Sequence, residues 1–196
     1  MASGRGSNFQ AIIESVNRGE APDVEIAQLV VNKSNAHAIK IAEKYNIKCS
    51  YIGSSEISRE NFDKKVIEIM EESKVEIIVL AGFMRILSPL FIKKYKNRIL
   101  NIHPSLLPSF PGASAHKDAL RYGAKISGCT VHLVDENVDS GPIIMQASVE
   151  IVENETEESL SEKILFHEHK LLPKALQLIC SNKVSLQGRQ VTINPD

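Results

Sequence analysis

Cysteine is scarce in this 196-residue chain, and its spacing excludes a disulfide framework. Cys49, Cys129 and Cys180 are odd in number, far apart and without CxxC spacing, so they read as reduced thiols of a cytoplasmic protein. Charge of one sign is equally lacking. Lys and Arg number 23 against 24 Asp and Glu, a formal net charge of -1, which gives no reason to expect nucleic acid or an anionic membrane as partner. No segment approaches the roughly 18 to 20 unbroken apolar residues of a membrane span, and the N-terminus lacks the apolar core of a secretory signal. His167 and His169 stand two apart, roughly 200° around a helix, and so cannot be joint metal ligands. No metal site is supported. Repeats, low-complexity tracts and linkers are absent too, so residues 1–196 read as one domain, long enough for a substantial core.

What is present is an alternation of short apolar runs and amphipathic stripes. Phe9, Ile12, Ile13 and Val16 fall at i, i+3, i+4 and i+7 and predict a helix that Ser7 or Asn8 can cap. Val24 to Val31 reads as a buried strand, Ala36 to Tyr45 as a helix, and Lys48 to Ile52 as a short strand. Phe62, Val66, Ile69 and Met70 mark the next helix, and Ile77 to Ala81 a strand of the parallel-sheet kind. Ser88-Pro89 opens a short helix, Ile99 to Ile102 forms a strand, and His116 to Tyr122 a brief helix. Thr130 to Val134 and Ile143 to Ile151 read as strands around a turn containing Ser140-Gly141-Pro142. Thr156 caps a long helix whose first turn carries Glu157 and Glu158, suited to the positive end of its dipole. Pro173 is expected to kink or divide that helix, and Val184 to Val191 to form a terminal hairpin around Gly188. Strands alternating with helices imply an α/β fold, a Rossmann-like three-layer sandwich with a mostly parallel central sheet and helices on both faces. The later strands add an antiparallel edge.

The stretch from Ile99 to Gly112, ILNIHPSLLPSFPG, carries the most chemistry. Asn101 and His103 stand two apart on a strand, so both point to one face. Pro104, Pro108 and Pro111 forbid regular structure just beyond them. A strand ending in an Asn/His pair suits catalysis at the carboxyl edge of an α/β sheet, although loop carbonyls could equally satisfy such a polar strand end. Gly4-x-Gly6 before the first helix offers an anion site, with glycines for close approach and helix N-terminal amides as donors. Asp139, beside Ser140-Gly141, reads by itself as well as a turn residue as a catalytic carboxylate.

Four ordered stretches, SGRGSN (Ser3 to Asn8), AGFMRILSP (Ala81 to Pro89), NIHPSLLPSFPG (Asn101 to Gly112) and GCTVHLVDENVDSGPI (Gly128 to Ile143), resemble the folate-dependent formyltransferases. Within them the SFPG ending is most similar to the phosphoribosylglycinamide formyltransferases. The resemblance implies transfer of a formyl group from the co-substrate 10-formyltetrahydrofolate to the amine of glycinamide ribonucleotide in purine biosynthesis, with small-molecule partners, room for a homodimer and no metal. It assigns catalysis to Asn101, His103 and Asp139, with Asp139 holding His103 charged, and a supporting place to His132. Gly4, Arg5, Gly6, Ser7 and Asn8 would cradle the ribonucleotide phosphate, with Glu168 contacting the same substrate. The folate side would be Phe83 to Leu87, with Met84, Arg85, Ile86 and Leu87 beside Asn101 and the turn from Asn137 to Asp139; Arg59 is a candidate clamp for carboxylates. Ser114 stands where the family usually has a histidine, so nothing is carried to that position. A formyltetrahydrofolate deformylase is the rival enzyme, disfavoured by Pro104 and by the lack of a regulatory domain before residue 1. A truncated, inactive binding homologue is the non-enzyme rival.

The chain also departs from the family at its start, where a short apolar strand normally precedes the glycine loop. Met1 to Ser3 can supply only a stub, so the natural start is expected upstream. Val24 to Val31 and Ile77 to Ala81 are then expected to flank a slot about 10 Å wide. Unpaired groups there would cost about 1 to 3 kcal/mol each and leave the fold marginal.

Overall fold

The change of apolar period along the chain, from runs to stripes, is realised as alternating strands and helices. A computed structural model describes residues 1–53 and 57–194. After an extended segment at residues 1–3 come α1 (Ser7–Asn17), β1 (Leu29–Val31), α2 (Ala38–Lys44), β2 (Cys49–Tyr51), α3 (Arg59–Glu72), β3 (Ile78–Leu80) and α4 (Pro89–Lys94). Then follow β4 (Ile99–His103), α5 (Ala115–Tyr122), β5 (Ile126–Leu133), β6 (Ile143–Glu150), α6 (Glu157–Cys180), β7 (Val184–Gln187) and β8 (Gln190–Ile193).

β1 pairs parallel with β2, and β3 parallel with β4, while β5 runs antiparallel between β4 and β6. Residues 1–3 lie between β1 and β3. The Ala2 amide donates to the Val30 carbonyl (3.0 Å), the Met1 amine to Val79 (2.6 Å) and the Ser3 amide to Gly82 (3.1 Å), while Met1 accepts from Ala81 (2.9 Å). The expected slot is therefore filled at its carboxyl end, and by more contacts than a bare stub promised. The order across the sheet is β2, β1, residues 1–3, β3, β4, β5, β6, with β5 alone reversed. The sheet is mostly parallel, as the alternation implied, and β7 and β8 form a separate hairpin around Gly188.

Helices cover both faces. Leu100 and Ile102 of β4 pack with Ile12 of α1 and Leu160, Ile164 and Leu172 of α6. Ile99, on the opposite face, packs with Phe62 and Val66 of α3 and Phe91 of α4. Strand alternation puts Asn101 and His103 on the face of Ile99, beyond the part that α3 and α4 bury.

Local chemistry set several boundaries as expected. The Ser88 hydroxyl accepts from the Phe91 amide (3.3 Å), with Pro89 at the first helical position. Thr156 and Ser159 cap each other's amides at 3.1 Å, a reciprocal box at the start of α6. Three expectations need correction. The cap of α1 is Gly6, in the left-handed region at φ 77°, and neither Ser7 nor Asn8 supplies a side-chain cap. A Cβ on Gly6 would also lie 2.8 Å from Ala38 Cα, so α2 requires the glycine. The strand expected from Val24 is confined to Leu29–Val31, because Val24 and Ile26 reach the core from irregular backbone. Of the kink or division expected at Pro173, division does not occur: α6 runs unbroken for 24 residues, and buried Leu172, Pro173, Ala175 and Leu176 offset the one lost hydrogen bond.

Candidate active site

β4 ends at His103, so its last residues open onto the carboxyl edge of the parallel strands, where the glycine loop and residues 81–87 also emerge. The His103 ring is almost wholly buried, and both its nitrogens face acceptors. Nε2 lies 2.9 Å from the Phe110 carbonyl and Nδ1 3.3 Å from Asp139 Oδ2. A neutral imidazole has a single N–H to offer and the imidazolium has two, one toward each of these oxygens. The expected juxtaposition of His103 and Asp139 is thus present at hydrogen-bond range. The same Asp139 oxygen accepts from the Gly112 amide at 2.8 Å. Asp139 itself sits at φ 51° in the turn before Gly141. A Cβ on Gly141 would come within 1.8 Å of the Leu133 carbonyl, so only glycine lets that turn close against β5.

Asn101 is oriented by His132, its cross-strand partner on β5. His132 Nδ1 is 2.9 Å from the Leu133 carbonyl and must carry the proton there, so Nε2 presents a lone pair. The Asn101 amide nitrogen, 3.0 Å away, donates to it and keeps its second N–H for the cleft. Burial pushes the His132 pKa down and holds the ring neutral, although Asp139 Oδ1 lies 3.8 Å from Nε2. His132 was expected to support the centre, and this is the form of support the geometry offers.

On the ribonucleotide side, Gly4 to Gly6 lead into α1, whose first amides have no partner within the helix. Arg5 is exposed beside them, and its carbonyl lies 3.2 Å from His37 Nδ1. Asn8 does not face solvent as a cap would: its amide donates to Glu168 Oε2 at 2.7 Å across 160 residues of sequence. Two expected contacts to one substrate are thus partners of each other. Glu168 is buried, and desolvation pushes its pKa up against the opposing pull of Asn8 and Arg5. A cleft of about 460 Å³ opens next to this loop, lined by Arg5, His116, Ser161 and the carboxylates of Glu157, Glu158 and Glu162.

On the folate side the expected residues separate. Met84 and Ile86 are 73% and 60% exposed, an apolar pair facing out at the mouth. Leu87 is core, packed with Phe62 and Phe91. Arg85, expected to meet ligand, turns inward: its guanidinium lies over the Phe62 ring (4.8 Å) and donates to the Ile57 carbonyl (3.1 Å). Arg59 is exposed at the start of α3. Ser3, which the sequence did not single out as a contact, accepts from the Met84 amide at 2.8 Å and ties the glycine loop to this segment.

A family model described as formyl transferase matches residues 1–176. The chain belongs to the formyl transferase family. It is 48% identical over 193 residues to the trifunctional purine biosynthetic protein adenosine-3 of Chironomus tentans, covering 96% of this chain and 14% of that protein. It spans between 13% and 20% of the trifunctional relatives it matches. It is 41% identical over 177 residues to the phosphoribosylglycinamide formyltransferase of Bacillus subtilis, covering 90% of each. Among solved structures, glycinamide ribonucleotide transformylase 1 from Symbiobacterium toebii superposes with a TM-score of 0.96 at 37% identity, over 99% of this chain and 92% of that one. As a formyl transferase the chain has a Rossmann-like fold. Among the described residues no group of His, Cys, Asp and Glu is placed to hold a metal, and no helix is long and apolar enough to cross a membrane.

Proposed function

We propose that this formyl transferase moves the formyl group of 10-formyltetrahydrofolate to the amine of glycinamide ribonucleotide, in the cytoplasm, as a step of purine biosynthesis. The observation that carries the reading is the buried His103 ring held between Asp139 and Phe110 beside the aimed amide of Asn101. Attack of the amine on the formyl carbon puts negative charge on the formyl oxygen. Preorganised donors facing that oxygen supply the largest part of such catalysis. Asn101 offers its free N–H, and the charge on His103 stabilises the same oxygen from close range. Asp139 keeps that charge in place and accepts the amine proton, directly or through one water, and the proton passes on to the folate nitrogen as its bond to the formyl carbon breaks. The N-terminal amides of α1 and Arg5 suit the substrate phosphate, and Met84 with Ile86 an aromatic ring system.

The test is to incubate the protein with 10-formyltetrahydrofolate, with and without glycinamide ribonucleotide. Tetrahydrofolate release that requires the ribonucleotide supports transfer. Release at the same rate without it means a hydrolase using the same three residues on water. Release in neither case means a binding protein.

A further inference from the structure

The Pro-rich loop from Pro104 to Gly112 touches both members of the catalytic pair, through the Phe110 carbonyl on His103 and the Gly112 amide on Asp139. Phe110 is held at φ 54°, a conformation a non-glycine residue keeps only when its surroundings impose it. Something must therefore fix this loop, and three prolines cannot do so through backbone ladders.

Two residues of the antiparallel edge do. The hydroxyl of Thr130 on β5, fully buried, donates to the Ser105 carbonyl (2.7 Å) and accepts from the Leu107 amide (3.0 Å) and the Gln146 amide group (2.9 Å). One donor and two lone pairs exhaust that hydroxyl. Gln146, on β6, also donates to the Leu107 carbonyl at 2.9 Å, and this fixes which end of its side chain is nitrogen. Ser105, also fully buried, carries the constraint onward: its hydroxyl reaches the Ser109 (2.5 Å) and Phe110 (3.3 Å) carbonyls, the latter the acceptor of His103 Nε2. The path from Gln146 to the catalytic ring is thus a continuous set of hydrogen bonds.

We infer that Thr130 and Gln146 are positioning residues for this reaction, a side-chain clamp that holds the Phe110 carbonyl where it fixes the His103 ring. The inference rests on the formyl-transfer reading for its kinetic consequence but not for its structural one. Groups within one hydrogen-bonded network act together, so loosening the clamp leaves the substrate sites in place and costs mainly the step that needs a fixed His103. The ionisable groups facing His103 are Asp139, His132 and His116, and changes at Thr130 or Gln146 leave all three intact.

The experiment compares Thr130→Val, Thr130→Ser and Gln146→Leu in the full chain. We expect Thr130→Val and Gln146→Leu to lower kcat about 10-fold or more with KM for the ribonucleotide within about 3-fold, and Thr130→Ser to retain most activity because it keeps the hydroxyl. A second readout needs no substrate: nitrogen-15 NMR of the imidazoles should show the His103 ring signals displaced in both defective variants, but not in Thr130→Ser. Gln146 is exposed, so Gln146→Leu keeps the test alive where Thr130→Val fails to fold. Folded variants with lowered melting temperature but unchanged kcat and His103 ring signals would overturn the inference and leave the pair purely structural. A wild-type protein without ribonucleotide-dependent transfer would sink the functional reading, yet the NMR comparison would still decide the clamp.

Discussion

The two sides of the candidate site are built differently. Around β4 and β5 the polar groups are buried or half-buried and mutually partnered: Asn101 with His132, His103 with Asp139 and Phe110, Thr130 with Ser105, Leu107 and Gln146. Around the glycine loop and residues 83–87 the side chains that could meet ligand, Arg5, Arg59, Met84 and Ile86, stand exposed. The difference fits what each side would do in the proposed transfer. Charge developing in a transition state is best met by groups already fixed in a dry setting, which need no reorganisation. Binding surfaces gain apolar burial and phosphate contacts only when the ligand arrives, so they remain open beforehand. Substitutions should therefore divide, the first side losing turnover and the second losing affinity.

Asp139→Asn gives the largest effect. It keeps the shape of the side chain but removes the carboxylate charge 3.3 Å from His103 Nδ1. We expect kcat to fall roughly 10²-fold or more, the scale of an acid–base group, with ribonucleotide affinity by direct titration changed far less. Near-normal turnover in this variant would make Asp139 a turn residue and erase the contrast between the two sides.

The contrast was only partly legible in the sequence. Period-2 alternation was enough to place Asn101 and His103 on one face, because a strand leaves no other choice. Ser88 and Thr156 were legible as caps because capping is decided within four residues. Asn8 misled for the opposite reason. Its cap chemistry is local, but Glu168 from α6 competes for the same amide and wins. Arg85 looked like a ligand cation because nothing nearby in sequence announces that Phe62 and the Ile57 carbonyl will take it. Gln146 carried no signal at all, since its partner Leu107 comes 39 residues earlier. Long-range partners of polar side chains are the part of the site that pattern and propensity leave unread.

His132→Phe should come next in size. It removes the lone pair that aims Asn101, so kcat should drop about 10-fold with both KM values nearly unchanged. The wild-type ring also sets a sign for pH. Because burial lowers its folded pKa, the unfolded chain binds the extra proton first as pH falls below about 6.5. Stability contributed by the neutral ring is thus present at higher pH and lost on acidification. Chemical denaturation of wild type and His132→Phe between pH 7.5 and 5 checks this, and the variant should show the shallower decline. Identical slopes would mean that His132 is not held neutral in the fold.

On the open side, Met84→Ser and Ile86→Ser should raise KM for the folate by about 3- to 10-fold, worth about 0.6 to 1.4 kcal/mol of apolar contact. Turnover and melting temperature should barely move, since both side chains face solvent. Arg85→Ala inverts the pattern: it strips a cation from the Phe62 ring and a donor from the Ile57 carbonyl, so it should cost melting temperature more than folate affinity. Steady-state kinetics beside thermal melts of these three variants test the division directly. If Arg85→Ala raises KM for the folate more than either serine does, its guanidinium must turn outward to meet the ligand.

The smallest effect concerns Glu168, which belongs to neither side cleanly: it is buried like His103 but sits by the glycine loop. Desolvation raises its pKa, so between its unfolded value near 4.3 and the higher folded one the native chain holds more protons than the unfolded chain. Its ionisation therefore weighs against folding at neutral pH and not at low pH. Glu168→Gln removes that charge while its amide oxygen still accepts from Asn8, so the variant should melt about 2 to 4 °C higher at pH 7.5, the change that about 1 kcal/mol makes in a domain of this size. The gap should close as pH falls through the carboxylate range, because wild type then carries the proton itself. A protein that gives up this stability keeps the carboxylate for something the ligand supplies, and the same variant should bind the ribonucleotide more weakly than wild type. A melting gap that stays constant with pH would trace the gain to packing, and Glu168 would then be an ordinary buried acid whose hydrogen bond to Asn8 already compensates its charge.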